Sequence, residues 1–192
     1  MSSPTVAPAQ ATKALALSTI SFTICFAVWT VFSIIGIQIK QELDLNEAEF
    51  GLLIGTPILT GSLIRLALGI WTDQYGGRRV LALVMLSAAV ATALLTFAYD
   101  YPTYLLAALG VGIAGGAFSV GVAYVSRWFP KERQGAALGI FGAGNVGAAV
   151  TKFLAPTIMV AYGWHTVAYV WAVAIGVVGV WFYLFADEDP DR

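Results

Sequence analysis

The stretch GAGNVG at residues 142–147 decides between two folds. It fits the pattern G-x-G-x-x-G, which holds a dinucleotide pyrophosphate when it follows a β-strand and an acidic residue comes about 20 positions later. Here the preceding residues RQGAALGIF show the small-residue spacing of a helix, and no acidic residue lies between Glu132 and Asp187. We therefore interpret the glycines as the flattened side of a membrane helix, where small residues let a neighbouring helix approach closely.

The composition supports a membrane protein. The chain has 192 residues, of which 59% are hydrophobic and 11% charged, whereas soluble domains carry about 25% charged residues. The net charge of −1 gives no indication of a nucleic-acid partner. With one cysteine, Cys25, and one histidine, His165, the chain has no intrachain disulfide and no cluster with metal-ligand spacing. We expect no metal and no cofactor, and an enzyme is disfavoured because no nucleophile constellation is present.

Six apolar runs are each long enough to cross about 30 Å of hydrocarbon. They predict an all-α membrane protein with a six-span bundle over residues 15–186. Residues 1–14 are expected to form a disordered leader, and residues 187–192 an acidic tail. The predicted spans are residues 15–37, 50–71, 80–98, 103–125, 136–160 and 164–186.

Basic residues predict the orientation of the bundle. The turns after spans two and four contain Arg78, Arg79, Arg127, Lys131 and Arg133, whereas Lys40 is the sole Lys or Arg in the other turns. The positive-inside rule therefore places those two turns and both termini in the cytoplasm. The acidic turn after span one contains Asp44 and Asn46, either of which suits the N-cap of span two.

Small residues recur at helix-crossing spacing along the chain. G-x-x-x-G pairs predict close helix contacts in several spans; they are Gly51/Gly55, Gly112/Gly116 and Gly135/Gly139.

Arg65 is the first candidate binding residue. It lies inside span two, in GSLIRLALGIW, with Gly61 and Gly69 four residues away on either side. A charge within the bilayer costs about 2.5–3.5 kcal/mol or more, so it indicates function. The planar guanidinium suits a small oxyanion that accepts two parallel hydrogen bonds. The alternative is that Arg65 extends to the cytoplasmic head groups.

Asn145 and Lys152 are the second and third candidates. They are seven residues apart in span five, so a helix would place them on one face about 10 Å apart. Asn145 offers an amide donor, and the alternative is a hydrogen bond between helices. Lys152 would attract an anion or take part in proton movement, and the alternative is a lysine that reaches the outer interface. No Asp or Glu lies deep in a span, which disfavours carboxylate-based coupling.

The turn after span two carries a family motif. It reads GIWTDQYGGRR and resembles the loop 2–3 motif of the major facilitator superfamily, roughly G-x-x-x-D-R-x-G-R-R. The matching residues are Gly69, Asp73, Gly76, Arg78 and Arg79, whereas Gln74 and Gly77 replace arginines of the common form. The resemblance implies that Asp73 helps to lock neighbouring helices in the outward-facing state.

Span five narrows the resemblance. GIFGAGNVGAAVTKFLAP is similar to the nitrate signature of the nitrate/nitrite porter family within that superfamily. The resemblance implies that Arg65 binds nitrate, that Phe118 of span four stacks against it, and that Asn145 lies close by. It also implies transport in nitrate assimilation, through the cell inner (plasma) membrane. Backbone amides around Gly144 are expected to assist.

The resemblance covers one half of such a transporter, because the family's second signature and second substrate arginine are not in the sequence. Transporters of this superfamily place their site between two six-span halves. Three explanations follow. The chain pairs with a second half on a separate chain, it pairs with a second copy of itself, or its gene is a shortened form of a full-length one. The predicted function is alternating-access transport of nitrate or nitrite, with protons as a further candidate cargo. The alternative is a non-transporting membrane subunit or scaffold that pairs with another bundle.

Overall fold

The computed structural model describes residues 7–190, and within that range it contains helices and short connections but no β-strand. Six helical stretches are long and apolar enough to span a membrane, which confirms the predicted all-α fold class. They are Pro8–Glu42, Glu47–Tyr75, Gly77–Phe97, Tyr101–Trp128, Lys131–Tyr162 and Trp164–Phe185. Several spans begin or end outside their predicted limits, because a helix can continue into the polar layers beyond the hydrocarbon.

Nine α-helices make up these spans in the described residues. They are α1 (Pro8–Trp29) and α2 (Phe32–Glu42) in span one, α3 (Glu47–Tyr75) in span two, α4 (Gly77–Leu94) in span three, α5 (Tyr101–Gly112) and α6 (Ala117–Trp128) in span four, α7 (Lys131–Gly142) and α8 (Gly147–Tyr162) in span five, and α9 (Trp164–Phe185) in span six.

The predicted disordered leader is wrong for residues 8–14, which form the first turns of α1. Pro8 suits the start of a helix, because the N–H that it lacks would have no partner there. Ala11 and Ala14 are buried, and Lys13 forms an ion pair with Asp187, so tertiary contacts hold this segment. Residues 1–6 lie outside the described residues.

Local sequence signals fix the starts of two helices. Asn46 caps α3 in a reciprocal capping box with Glu49, as predicted for one of the two candidates. Asp100 caps α5 through the amide and hydroxyl of Thr103, and these hydrogen bonds lower the pKa of its carboxyl group. Gly76 and Gly163 have positive φ angles of 88° and 83°, which allow sharp connections between consecutive spans.

Three spans are interrupted near their middle. Span one breaks at residues 30–31, span four passes through a 3-10 segment at Ile113–Gly116, and span five through another at Ala143–Val146. Interrupted helices within a membrane expose backbone groups and commonly line transport sites. The GAGNVG stretch is therefore a break within a membrane helix, and its Gly144 and Gly147 pack against the backbone of α1.

The spans differ in how much of their surface the bundle covers. Within the most apolar 18-residue window, 50% of the residues are buried in spans one, three and four, but 28% in spans two and five. Leu63 and Leu66 of α3 are 64% and 77% exposed. Spans two and five therefore present the most open sides of the bundle.

Candidate functional site

Arg65 lies well inside span two. Ten residues, or about 15 Å of helix, separate it from the end of α3 at Tyr75. Its Nε donates a hydrogen bond of 3.2 Å to the carbonyl oxygen of Gly115, in the broken part of span four. Its guanidinium carbon lies 5.6 Å from the ring centre of Trp29. The side chain is therefore held by the bundle interior rather than extended to the head groups.

The terminal nitrogens of Arg65 are available to a ligand. Among residues 7–190, no carboxylate forms an ion pair with Arg65, and Nη1 and Nη2 have no protein acceptor. The Gly115 carbonyl and the Trp29 ring satisfy the guanidinium only in part, since neither carries a full negative charge. A permanently charged group in this environment favours an anion, which would accept two parallel hydrogen bonds.

Phe118 lies in the first turn of α6, directly after the break that contains Gly115. Its side chain is 39% exposed, and its ring packs against Phe22 and Phe141 at centroid distances of 5.5 and 6.0 Å. The hydroxyl of the next residue, Ser119, lies 3.4 Å from the Arg65 carbonyl oxygen. Phe118 and Arg65 therefore belong to neighbouring surfaces of α6 and α3, and the Phe118 ring is only partly covered.

Gly144 contacts α1 next to this region, whereas no hydrogen bond among the described residues joins Asn145 to Arg65. A Cβ atom at Gly144 would lie 2.5 Å from the Phe22 ring, so the break in span five sits directly on that aromatic residue. Asn145 is exposed, and its amide nitrogen donates a 2.7 Å hydrogen bond to the Gly142 carbonyl oxygen of its own segment. This bond is local rather than between helices, and the second amide hydrogen has no partner among the described residues.

Lys152 stands apart from this group. It is exposed on α8, ten residues before Tyr162, which corresponds to about 15 Å from the opposite end of the bundle. No hydrogen bond, ion pair or ring contact in the described part of the chain joins it to Arg65. The neighbouring Thr151 is buried instead and links the Ala27 carbonyl to the indole of Trp171.

The loop 2–3 motif connects spans two and four. Asp73 forms a 2.6 Å ion pair with Arg127 of α6, which supplies the cationic partner that a charge at a helix end requires. Arg78 donates to the Tyr183 carbonyl oxygen of α9, whereas Arg79 is more exposed.

The glycines of the motif differ in their surroundings. Gly76 makes the turn. A Cβ atom at Gly69 would have no atom within 4 Å, so Gly61 packs against its neighbours and Gly69 does not.

The acidic tail is part of the same network, which the sequence interpretation missed. Asp189 has a fully buried side chain whose Oδ2 accepts hydrogen bonds of 2.8 Å from Arg127 and from the amide of Gly77, the first residue of α4. Glu188 lies 3.3 Å from Arg78. The tail is acidic and the turns after spans two and four are basic. Their opposite charges therefore predict a contact, provided that the tail and both turns lie at the same end of the bundle.

Comparison with known proteins identifies the family. The family model described as Major Facilitator Superfamily matches residues 17–192. The chain belongs to the major facilitator superfamily. Two solved structures have a similar fold, with TM-scores of 0.82 and 0.84; they show a bacterial homologue of the human lysosomal transporter Spinster in occupied and unoccupied inward-facing conformations. They share 19% and 18% identity, cover 96% and 97% of this chain, and are matched over 46% and 45% of their own length.

Relatives within the superfamily agree with the predicted resemblance to nitrate/nitrite porters. The chain is 41% identical to a probable nitrate/nitrite antiporter of Thermus thermophilus, over 88% of this chain and 42% of that protein. It is 32% identical to a nitrite extrusion protein of Bacillus subtilis and 31% to a probable nitrate transporter of Staphylococcus aureus, over 93% of this chain and 45% and 46% of those proteins. The chain thus spans less than half the length of these relatives.

Proposed function

We propose that the chain forms one half of a twelve-span carrier that moves nitrate or nitrite through the cell inner (plasma) membrane by alternating access. The observation that carries this proposal is the Arg65 guanidinium, which lies within the bundle with two terminal nitrogens free of protein acceptors. The names of the relatives support the choice of anion, since they describe nitrate and nitrite transporters.

The chemistry of the site suits a flat monovalent oxyanion. Nitrate and nitrite can each accept two hydrogen bonds in one plane, which matches the fork of a guanidinium. In this proposal the partly exposed ring of Phe118 covers the plane of the ion, and the free amide hydrogen of Asn145 adds a donor. Exclusion of water strengthens the attraction between the ion and Arg65, because charges interact more strongly at low dielectric.

A second half completes the site in this proposal. Superfamily carriers bind their cargo near the middle of the membrane between two six-span halves. The low burial of spans two and five supports this arrangement, because span two carries the partly buried Arg65 and span five carries the exposed Asn145 and Lys152. The second half is a separate chain, a continuation of this one or a second copy, and protons are a candidate co-substrate.

Uptake of nitrate into vesicles tests the proposal. We expect the chain assembled with a second six-span half to take up nitrate, and Arg65→Gln to reduce uptake at subsaturating nitrate about 30-fold, as loss of a charge-assisted pair worth about 2 kcal/mol would. Arg133→Gln is the control, since Arg133 is exposed at the start of α7. Wild-type uptake by the Arg65 variant would contradict the proposal, and correctly inserted protein without uptake would favour the scaffold alternative.

A further inference from the structure

Trp29 occupies a confined position between two spans. It is the last residue of α1, directly before the break in span one, and its indole nitrogen donates a 2.9 Å hydrogen bond to the Pro57 carbonyl oxygen of α3. This bond crosses from span one to span two within the membrane. The indole N–H thus has a partner, as a buried polar group requires.

Two glycines make room for this indole. A Cβ atom at Gly61 would lie 2.8 Å from the Trp29 Nε1 atom, and one at Gly115 would lie 2.5 Å from it. Both distances are shorter than van der Waals contact, so a side chain at either position would displace the ring. The ring is therefore held between the backbone of α3 and the broken segment of span four.

The same ring lies beside Arg65. Pro57, Gly61 and Arg65 are spaced by four residues, which places them in a row along one face of α3. Trp29 runs along this row: its N–H binds Pro57, its edge contacts Gly61, and its ring lies 5.6 Å from the Arg65 guanidinium carbon. It also contacts Gly115, whose carbonyl oxygen accepts the hydrogen bond from Arg65.

We infer that Trp29 is a positioning residue for anion binding, an inference that rests on the proposed function. The aromatic face attracts the guanidinium and keeps it from extending towards the head groups, which a long cationic side chain would otherwise reach. The ring uses neither terminal nitrogen of Arg65 as a hydrogen-bond donor. Because Trp29 already restricts the Arg65 side chain, Arg65 loses less conformational entropy when it binds the ion. The affinity for the ion is therefore higher.

Substitutions at Trp29 separate this role from a purely structural one. Trp29→Phe keeps an aromatic face but loses the donor to Pro57, whereas Trp29→Leu loses both. In the chain assembled with its second half, we expect Trp29→Leu to raise the calorimetric dissociation constant for nitrate about 10-fold, within the range known for cation–π contacts. Trp29→Phe is expected to melt at a lower temperature than the wild type but to keep its affinity within about 3-fold.

Trp71→Leu is the matched control, because Trp71 lies on α3, the helix that carries Arg65, and is 48% exposed. It should leave nitrate affinity unchanged. Wild-type affinity in Trp29→Leu would overturn the inference while leaving the proposed function intact. Equal loss in Trp29→Phe and Trp29→Leu would also overturn it, since the aromatic face would then contribute nothing. If the wild-type assembly binds no nitrate, both the proposed function and this inference fail.

A spectroscopic measurement covers the case in which Trp29→Leu does not fold. The difference between the emission of the wild type and that of Trp29→Phe isolates the signal of Trp29. We expect nitrate to change this difference spectrum, and Arg65→Gln, with Trp29 retained, to abolish the change. A nitrate response that persists in Arg65→Gln, or no response in the folded wild type that binds nitrate, would overturn the inference.

Discussion

At the scale of single residues, Asp189 shows how a charge at the end of the bundle is stabilised. Its carboxylate is fully buried, and it is held by the guanidinium of Arg127 and by the first amide of α4, where the helix dipole favours negative charge. Arg127 binds Asp73 at the same time. One arginine therefore ties the ends of spans two and four to the segment that follows span six.

Asp189→Asn should lower the stability of the bundle. The substitution keeps the size of the side chain but removes the charge that Arg127 and Gly77 contact, so we expect a loss of about 2 kcal/mol, measured as a lower thermal unfolding midpoint in detergent. Asp187→Asn is the control, because its ion pair with Lys13 is solvent-exposed and worth less than about 1 kcal/mol. Equal midpoints for the two variants would contradict this account.

The sequence predicted the positions of some of these side chains but not of others, and their roles in binding stay predictions. Arg65 was predictable because a permanent charge in an apolar run has few stable positions besides a binding site or the head groups. The local hydrogen bond of Asn145 was not, because it depends on the 3-10 geometry of Ala143–Val146. The tail was missed because opposite charge predicts contact with the basic turns but does not show which of their residues the tail will bind.

At the scale of helices, glycines matter only where another backbone comes close. Gly112 and Gly116 pack against α3, which confirms the contact predicted from one G-x-x-x-G pair. At Gly51, Gly55, Gly135 and Gly139 an added Cβ would meet no atom within 4 Å in the described chain, so the predicted contacts there are wrong within this bundle. Spacing alone cannot show which face of a helix meets a neighbour.

Gly147→Ala and Gly139→Ala provide a matched pair of the same substitution. At Gly147 the new Cβ would lie 2.0 Å from the Thr23 carbonyl oxygen, so α8 must move away from α1, and we expect a loss of about 1–3 kcal/mol. At Gly139 there is open space, and alanine should stabilise the helix by about 0.5–1 kcal/mol. Unfolding midpoints that shift in the same direction would show that these close contacts are not present.

The number and order of the spans were predictable because about 20 consecutive apolar residues are needed to cross the hydrocarbon. The breaks at residues 30–31, 113–116 and 143–146 were not, since the apolar pattern continues through them. The early start of α1 was also missed, because the polar residues before Leu15 gave no indication of their contacts with the tail.

At the scale of the whole molecule, the bundle covers its spans unequally. Spans two and five are the least buried, and they carry the three candidate residues Arg65, Asn145 and Lys152. An isolated bundle would leave Asn145 and Lys152 exposed to lipid and Arg65 only partly covered, at a considerable cost in free energy. We therefore expect nitrate to bind tightly only after a second half covers this surface, with Lys152 facing that half.

Calorimetric titration of the assembled protein with nitrate tests the central claim, that the fork of an internal guanidinium binds the anion. Arg65→Lys keeps the charge but loses the planar pair of donors, so we expect the dissociation constant to rise about 10-fold or more. Arg133→Lys, at an exposed position, should bind as the wild type does. Wild-type affinity in Arg65→Lys would contradict the claim.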